Sequence, residues 1–330
     1  MLTSRIVGTG MAAPERVVDN HEIGSALGAS PEHIHRLTGI TSRRWVSGHE
    51  SASDLAVTAS RMALESAGRH PSALDAVIVS TTSPDTVFPS TACYVQRALG
   101  ARCVAAFDVA ASCSGFLYGL SVGDVLIRSG QAKTCLVVAA EVKSVFLDKQ
   151  DAVTAVLFAD GAGAAVLVGD ETTHLPRRGI LGIRLYTDGA HHRLIRLPAG
   201  GSRQPSSPDT VRERRHAIQL EGTPVFRLAV RRLAAAVQEL LEEFELAVPD
   251  VRRAVFHQAN GRILEALGRR LGLSPDQTTS IIERYGNTSS ASLPMALDCT
   301  VRGGGVSPGD PLLLGAFGGG LTWATALIRW

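Results

Sequence analysis

The sequence predicts an α/β protein in which two similar halves of the chain each form a mixed sheet with helices packed against it. Three observations indicate this fold class. A helical stretch precedes an apolar strand in each half, glycines precede a second apolar strand at the end of each half, and hydrophobic residues make up 45% of the 330 residues. A chain of this size and composition can bury a large core.

The order of helix and strand occurs twice. In the first half, a helical stretch at residues 54–67 is followed by an apolar strand at residues 76–80. In the second half, a helical stretch at residues 225–244 is followed by an apolar strand at residues 254–256. The second helix has one apolar stripe, which predicts a buried face; it is formed by residues 226, 229, 230, 233, 237, 240, 241 and 244.

The two halves also end alike. Residues 158–167 and residues 317–327 each begin with Phe, pass through glycines and continue as an apolar strand. Glycine at such positions lets two backbones approach closely. We therefore divide the chain into an N-terminal half, residues 1–171, and a C-terminal half, residues 172–330. Residues 198–215 are rich in Gly, Ser and Pro and predict a surface loop.

Charge and cysteine content exclude several classes of protein. The net charge of +2 gives no bulk electrostatic footprint for nucleic acid. The five cysteines contain neither a CxxC pair nor a zinc-ligand spacing, which is typical of a reducing compartment and predicts no metal site. The chain has no signal-peptide layout, and no apolar run approaches the roughly 18 residues of a membrane span. We expect a cytoplasmic protein that binds neither nucleic acid nor membrane.

Cys113 stands where an apolar strand ends, small residues turn and a helix begins. Unpaired amides of a first helical turn and the positive end of the helix dipole favour a thiolate over a thiol. A single cysteine is more often a buried residue that only packs. Two later segments favour a nucleophile instead.

His257 and Asn287 occupy comparable corners. The apolar strand at residues 254–256 runs directly into His257, and Gly286 and Asn287 form a polar corner before a helical pattern. Either feature alone is more often structural. Together with Cys113, the three corners predict an active site. In it Cys113 is the nucleophile.

These residues carry a family resemblance. Cys113, residues 257–262 (HQANGR), residues 286–289 (GNTS) and residues 316–320 (AFGGG), in this order, resemble the β-ketoacyl-acyl-carrier-protein synthase III family of thiolase-like condensing enzymes. The resemblance covers nearly the whole chain. It implies the thiolase-like five-layer αβαβα fold, built from two duplicated halves of which the first carries the cysteine and the second the histidine and asparagine.

The resemblance implies an activity as well. Cys113 takes an acyl group from acyl-coenzyme A, and His257 and Asn287 stabilise the decarboxylation of malonyl-acyl-carrier protein. The resulting carbanion attacks acyl-Cys113, which initiates fatty-acid synthesis. A second oxyanion hole consists of the backbone amides of Cys113 and Gly319. The substrates are thioesters of coenzyme A and acyl carrier protein, and no cofactor is implied.

Further positions match the family less specifically. They are an acyl pocket that includes a residue from the partner of a homodimer, contacts to coenzyme A or pantetheine, and a docking surface for the acyl carrier protein. The matching residues are Phe88 and Phe317 for the acyl pocket, Arg36, Gly222 and Asn260 for coenzyme A or pantetheine, and Arg227, Gln258 and Arg262 for the carrier protein.

The chain departs from the family where coenzyme A is held. His33 stands where relatives often have tryptophan, and Ala152 where they often have arginine. These departures keep open a priming ketosynthase or acyltransferase of a polyketide or other specialised pathway. Simple acyl transfer is disfavoured because it leaves Asn287 without an enolate to stabilise. A thiolase is disfavoured because Phe317 replaces the second catalytic cysteine, and a non-enzymatic binding protein requires all three corners by coincidence.

Overall fold

The strands of the two halves form separate five-stranded sheets. The structure is a computed structural model that describes residues 2–170 and 178–330, so the boundary that we predict at residues 171 and 172 lies outside the described residues. The strands are β1 (Thr3–Ala12), β2 (Val17–Asp19), β3 (Ser42–Arg44), β4 (Ala76–Ser80), β5 (Ala105–Val109), β6 (Thr134–Val142), β7 (Asp160–Asp170), β8 (Gly179–Thr187), β9 (Ile195–Arg196), β10 (Gln219–Leu220), β11 (Arg253–Phe256), β12 (Thr278–Thr279), β13 (Pro311–Gly318) and β14 (Thr322–Arg329). The helices are α1 (Asn20–Leu27), α2 (Pro31–Thr38), α3 (Ala52–Ser66), α4 (Thr91–Leu99), α5 (Gly115–Arg128), α6 (Pro208–Arg212), α7 (Gly222–Glu243), α8 (Gly261–Leu271), α9 (Ile282–Tyr285) and α10 (Ser292–Arg302).

The two sheets have the same topology, which confirms the predicted duplication. The first sheet has the order β1-β7-β6-β4-β5, and the second has the order β8-β14-β13-β11-β12. In both, the first three strands are antiparallel and the last three are parallel. Because parallel strands need a crossover connection, helices occur between them in each half. The carboxyl ends of the parallel strands are therefore free to carry functional corners.

The helices and sheets form five layers. Helices α3 and α4 cover the outer face of the first sheet, and α7 and α8 cover the outer face of the second. Helices α5 and α10 lie between the two sheets. A single buried cluster joins the two sheets through these central helices and includes Ile78, Leu120, Leu293 and Leu314, all 0% exposed. The structure confirms the thiolase-like five-layer αβαβα fold.

One glycine sets how closely the central helix α10 approaches the first sheet. A Cβ atom on Gly163 would lie 2.7 Å from the amide nitrogen of Met295. Only the absence of a side chain permits this distance. Gly163, within β7, therefore has the close-approach role that the sequence predicts for the glycines of this segment.

The predicted elements agree with the structure with one exception. The helices expected at residues 54–67 and 225–244 are α3 and α7, and the strands that follow them are β4 and β11. The stretch 198–215 is not entirely loop, because Pro208–Arg212 forms α6. The side chain of Ser207 caps the amide of Thr210 and Pro208 occupies the first turn, so these loop-type residues start a short helix.

Two further findings concern the described residues. None of the helices in the described ranges is long and apolar enough to cross a membrane. Within the same ranges, His, Cys, Asp and Glu side chains do not gather in groups of three or more that could hold a metal ion.

Candidate active site

The three predicted corners meet at one cavity. The cavity has a volume of about 710 Å³, and Cys113, His257 and Asn287 all line it. Cys113 follows β5 of the first sheet, whereas His257 follows β11 of the second. The site is therefore formed where strand ends of both halves face each other across the central layer.

Cys113 lies in a short 3₁₀ turn, Ser112–Ser114, that leads into α5. Its side chain is buried, and Ser112 before it has a positive φ of 49°. A non-glycine residue in this conformation costs about 1–3 kcal/mol and is typical of sites where a side chain must point in a set direction. The turn aims the thiol into the cavity while the amides of the first turn of α5 lie behind it.

The thiol has few polar neighbours. Its Sγ lies 3.5 Å from the hydroxyl oxygen of Ser289 and 3.9 Å from that of Ser112. Burial raises the pKa of the Cys113 thiol, and the Ser289 hydrogen bond and the charge of Lys143 oppose that rise. Burial therefore opposes the thiolate that the sequence predicts from the first turn of the helix.

The contacts of His257 allow an assignment of its ring hydrogen. Its Nδ1 lies 2.5 Å from the hydroxyl oxygen of Ser292, which also accepts the amide hydrogen of Gln258 at 3.0 Å. We assign the Ser292 hydroxyl as the donor to Nδ1, which places the ring hydrogen on Nε2. Burial lowers the pKa of His257 to about 3, although the charge of Glu141 raises it. His257 is therefore a neutral donor at physiological pH.

The amide of Asn287 is held at both ends. Its Oδ1 accepts the backbone amide of Ser289 at 2.9 Å, and its Nδ2 donates to the carbonyl of Ala259 at 3.1 Å. Only one of the two Nδ2 hydrogens is used by that contact. Gly286 before it has a φ of 64°, and a Cβ there would lie 3.0 Å from the Cβ of Arg43. The corner needs glycine, and within the part of the chain that the structure describes one Nδ2 hydrogen of Asn287 has no acceptor.

A buried ion pair lies behind the nucleophile. The carboxylate of Glu141 is 2.8 Å from Nζ of Lys143, and their side chains are 0% and 7% exposed. Ser289 donates a hydroxyl hydrogen bond to Glu141 at 3.1 Å and Ser290 does so at 2.8 Å. Burial alone raises the pKa of Glu141, but Lys143 and the hydroxyl donors outweigh it and leave the pKa below its ordinary value. Glu141 thus remains ionised.

The glycines at the end of β13 and directly after it place backbone against the nucleophile. A Cβ on Gly318 would lie 2.6 Å from the amide nitrogen of Cys113, and one on Gly319 would lie 3.2 Å from the hydroxyl oxygen of Ser112. Gly319 also lines the cavity. Side chains at either position would separate this backbone from Cys113.

Most of the other predicted residues border the same cavity. Phe317 is buried in its wall beside Trp323, with ring centroids 6.3 Å apart. Gly222, Asn260, Arg227 and Arg262 also line it, the two arginines with exposed side chains.

Two predicted residues lie elsewhere. Phe88 is 84% exposed and does not line the cavity of its own chain. Arg36 is exposed on α2, next to His33, and is likewise outside the lining. Ala152, where relatives often have arginine, does line the cavity.

The role predicted for Gln258 in carrier binding is wrong. Its side chain is 0% exposed. Its Nε2 donates to the carbonyls of Phe256 and Thr279, and its Oε1 accepts the amide of Ile281. A fully buried amide with its polar atoms satisfied by backbone groups is a structural link, and it has no surface to offer a partner.

The sequence interpretation missed Glu141, Lys143, Ser289 and Ser292 as site residues. One signal was present: Glu141 and Lys143 are charged residues at the end of the otherwise apolar strand β6, and charge is rarely buried without a partner. The two serines carried no such signal, because serines are common at helix starts.

Comparisons with known proteins agree with this geometry. The family model described as 3-oxoacyl-[acyl-carrier-protein (ACP)] synthase III matches residues 107–189, and the model of its C-terminal part matches residues 241–330. A β-ketoacyl-[acyl-carrier-protein] synthase III of Caldanaerobacter subterraneus subsp. tengcongensis is 43% identical over 329 residues, which cover 100% of this chain and 98% of that protein.

Solved structures of related proteins superimpose closely on this chain. The crystal structure of 3-oxoacyl-[acyl-carrier-protein] synthase III from Aquifex aeolicus superimposes with a TM-score of 0.91 at 37% identity and covers 99% of this chain and 100% of that one. The priming β-ketosynthase of a polyketide biosynthetic pathway superimposes with a TM-score of 0.90 at 36% identity and covers 99% of this chain and 96% of that one. Matches of this extent and identity show that the chain belongs to the β-ketoacyl-acyl-carrier-protein synthase III family of thiolase-like condensing enzymes.

Proposed function

We propose that this chain condenses an acyl primer with malonyl-acyl-carrier protein and so initiates fatty-acid synthesis. The observation that carries the proposal is the meeting of one buried thiol and two uncharged donors, His257 and Asn287, at one cavity. A thiol nucleophile holds the first acyl group, and the two donors stabilise the enolate of the second.

In the first step, the sulfur of Cys113 attacks the carbonyl carbon of an acyl thioester. The carbon–sulfur bond to the donor breaks, and the thiol proton leaves with the donor as its free thiol. The backbone amides of Cys113 and Gly319 stabilise the tetrahedral oxyanion. They can lie close together because Gly318 and Gly319 have no side chains to separate this backbone from Cys113. The product is acyl-Cys113.

In the second step, malonyl-acyl-carrier protein loses CO2 and forms an enolate. The Nε2 hydrogen of His257 and the free Nδ2 hydrogen of Asn287 donate to the enolate oxygen. Because both donors are neutral, they cost less to desolvate than charged groups. The enolate carbon attacks the carbonyl of acyl-Cys113, the carbon–sulfur bond to Cys113 breaks, and the released thiolate takes up a proton.

The chemistry of these steps needs only the two thioester substrates and the residues named, so we infer no cofactor and no metal. The nucleophile must remain a thiol, and the five cysteines are free. A reducing cytoplasm suits both facts.

A priming ketosynthase of a polyketide pathway is the second candidate. One observation favours it, the similarity to the solved priming β-ketosynthase. The relatives at 43–45% identity are named β-ketoacyl-[acyl-carrier-protein] synthase III, which favours the first candidate.

The carrier protein and coenzyme A are expected at the cavity mouth. Arg227 on α7 and Arg262 on α8 line the mouth with exposed guanidinium groups, which suit an acidic carrier. Gly222 and Asn260 border the same opening and suit the pantetheine arm. Arg36 lies near this opening, because the backbone carbonyl of the next residue, Leu37, accepts a hydrogen bond from the Asn260 side chain at 3.2 Å.

A second copy of the chain is expected at the face that carries Phe88. Strand β5 is an edge strand of the first sheet and is only partly buried. An exposed apolar edge is a pairing surface. Val87 and Phe88 are 90% and 84% exposed beside it. A homodimer covers both features and lets Phe88 reach the partner's acyl pocket.

The two half-reactions test the chemistry. Cys113→Ser is expected to abolish acyl-enzyme formation, because no thiol remains to hold the acyl group. Asn287→Ala is expected to keep acylation but to slow condensation by about 10² to 10³, the usual effect of losing one oxyanion donor. Intact-protein mass spectrometry follows acylation, and radiolabelled malonyl-carrier follows condensation.

Asn260→Ala is the matched control for this test, because it removes an amide from the cavity mouth and not from the reacting end. It is expected to affect binding of the substrate more than the condensation step. Equal loss of both half-reactions in Asn287→Ala, or an acyl adduct on another cysteine in Cys113→Ser, would contradict the assignment.

Charge reversal tests the carrier surface. Arg227→Glu and Arg262→Glu are expected to lower kcat/KM for malonyl-carrier protein at least tenfold at low salt, because they repel an acidic partner. The same variants should change kcat/KM for malonyl-pantetheine little. Arg269→Glu is the control, since Arg269 is an exposed residue of α8 that pairs with Glu265 and does not line the cavity. Equal losses with both substrates would exclude this docking surface.

Sedimentation measures the homodimer. The wild type is expected at twice the chain mass of 34.8 kDa, and Phe88→Asp should shift it toward monomer because it charges the covered face. Val211→Asp is the control, because Val211 is also an exposed apolar residue, at 64%, but lies on α6. A monomeric wild type at micromolar concentration would exclude the dimer.

A further inference from the structure

Lys143 places an ammonium group in the wall of the reaction cavity. It lines the cavity together with Cys113, Ser289 and Asn287. The mechanism above does not use it. A charged side chain that is 7% exposed costs free energy to bury unless its donors are satisfied.

The protein satisfies two of the three ammonium hydrogens. Nζ donates to the Glu141 carboxylate at 2.8 Å and to the hydroxyl oxygen of Thr82. Those are the contacts of Nζ within the described residues. An ammonium has three hydrogens and no lone pair, so one hydrogen remains for a group in the cavity.

The position of Lys143 along the cavity indicates which group this is. The mouth is formed by α7 and α8, the outer layer of the C-terminal half, where Arg227 and Arg262 lie. Cys113 lies in the central layer. Lys143 and Thr82 follow β6 and β4 of the first sheet, which lies on the opposite side of that central layer from α7 and α8. A pantetheine arm that enters by the mouth and delivers its thioester to Cys113 leaves the acyl chain on the side of Lys143.

We infer that Lys143 is a specificity-determining residue whose free ammonium hydrogen binds an uncharged oxygen, a hydroxyl or a ketone, on the acyl chain of the primer. This inference rests on the proposed function. Its chemical basis is that an unbranched or branched hydrocarbon chain would displace water from the ammonium and offer no acceptor in return.

The neighbouring carboxylate explains why the acceptor is uncharged. Glu141 already neutralises Lys143 at 2.8 Å, and the Ser289 hydroxyl on the cavity side also donates to Glu141. A carboxylate on the primer would approach Glu141 as well as Lys143 and would be repelled. A hydroxyl or ketone takes the hydrogen bond without that repulsion.

The test compares the rates at which three pantetheine thioesters acylate Cys113, measured by intact-protein mass spectrometry. The thioesters are 3-hydroxybutyryl, butyryl and succinyl, which offer an uncharged oxygen, no oxygen and a carboxylate. Pantetheine thioesters are used because they lack the adenine nucleotide of coenzyme A, so contacts to that part of the donor do not affect the comparison. The wild type is expected to prefer 3-hydroxybutyryl to butyryl and to succinyl.

A double variant removes the ammonium. Lys143→Met alone leaves Glu141 buried without a counter-ion, and Glu141→Gln alone does the same to Lys143, so either single variant is prone to misfold. We therefore compare the wild type with the double variant Glu141→Gln/Lys143→Met, in which both buried charges are removed together. The ratio of 3-hydroxybutyryl to butyryl acylation rates is expected to be at least tenfold lower in the double variant.

The outcomes separate the inference from the proposed function. An unchanged ratio between the wild type and the double variant, or a wild type that prefers butyryl, would overturn the role of Lys143. A preference for succinyl would overturn the uncharged acceptor. Failure of the wild type to form acyl-Cys113 with any thioester would contradict the proposed function, and this inference with it.

Discussion

The arrangement of the active site depends on the buried carboxylate of Glu141. It belongs to the N-terminal half and receives hydroxyl hydrogen bonds from Ser289 and Ser290 of the C-terminal half, at 3.1 and 2.8 Å. It also accepts a hydrogen bond from the Ser83 hydroxyl at 2.6 Å and forms an ion pair with the ammonium of Lys143 at 2.8 Å. A carboxylate in this position is stable only while these donors are in place, so it fixes the two halves relative to each other at the site.

This contact determines where the reacting groups lie. Ser289 bonds to Glu141 through its hydroxyl and to Asn287 through its backbone amide, and its hydroxyl oxygen lies 3.5 Å from the sulfur of Cys113. Ser289 also has a positive φ of 52°, a strained conformation that its hydrogen bonds to Glu141 and Asn287 stabilise. Ser289, which this carboxylate holds, thus contacts both the nucleophile of one half and the amide donor of the other. His257 is set independently, through Ser292 at the start of α10.

The sequence predicts the parts of the site that are local. Cys113, His257 and Asn287 each follow a strand or a glycine corner, and such positions can be found from the pattern of apolar residues alone. Glu141 could not be connected with Ser289 in this way, because 148 residues separate them and the charged end of β6 does not indicate which distant group it meets. Gln258 was misjudged for the related reason that its side chain turns inward to satisfy three backbone groups. The fold was more predictable than the site. The succession of helices and strands that occurs twice in the sequence corresponds to a strand order that both sheets share.

The central claim, that Glu141 joins the two halves at the site, is tested most directly by a double-mutant cycle of the free energy of unfolding. The four proteins are the wild type, Glu141→Gln, Ser290→Ala and the double variant. A hydrogen bond to a charged group contributes about 1.5–3 kcal/mol, so we expect a coupling energy above about 1 kcal/mol. Additivity of the two single effects to within about 0.5 kcal/mol would contradict the claim.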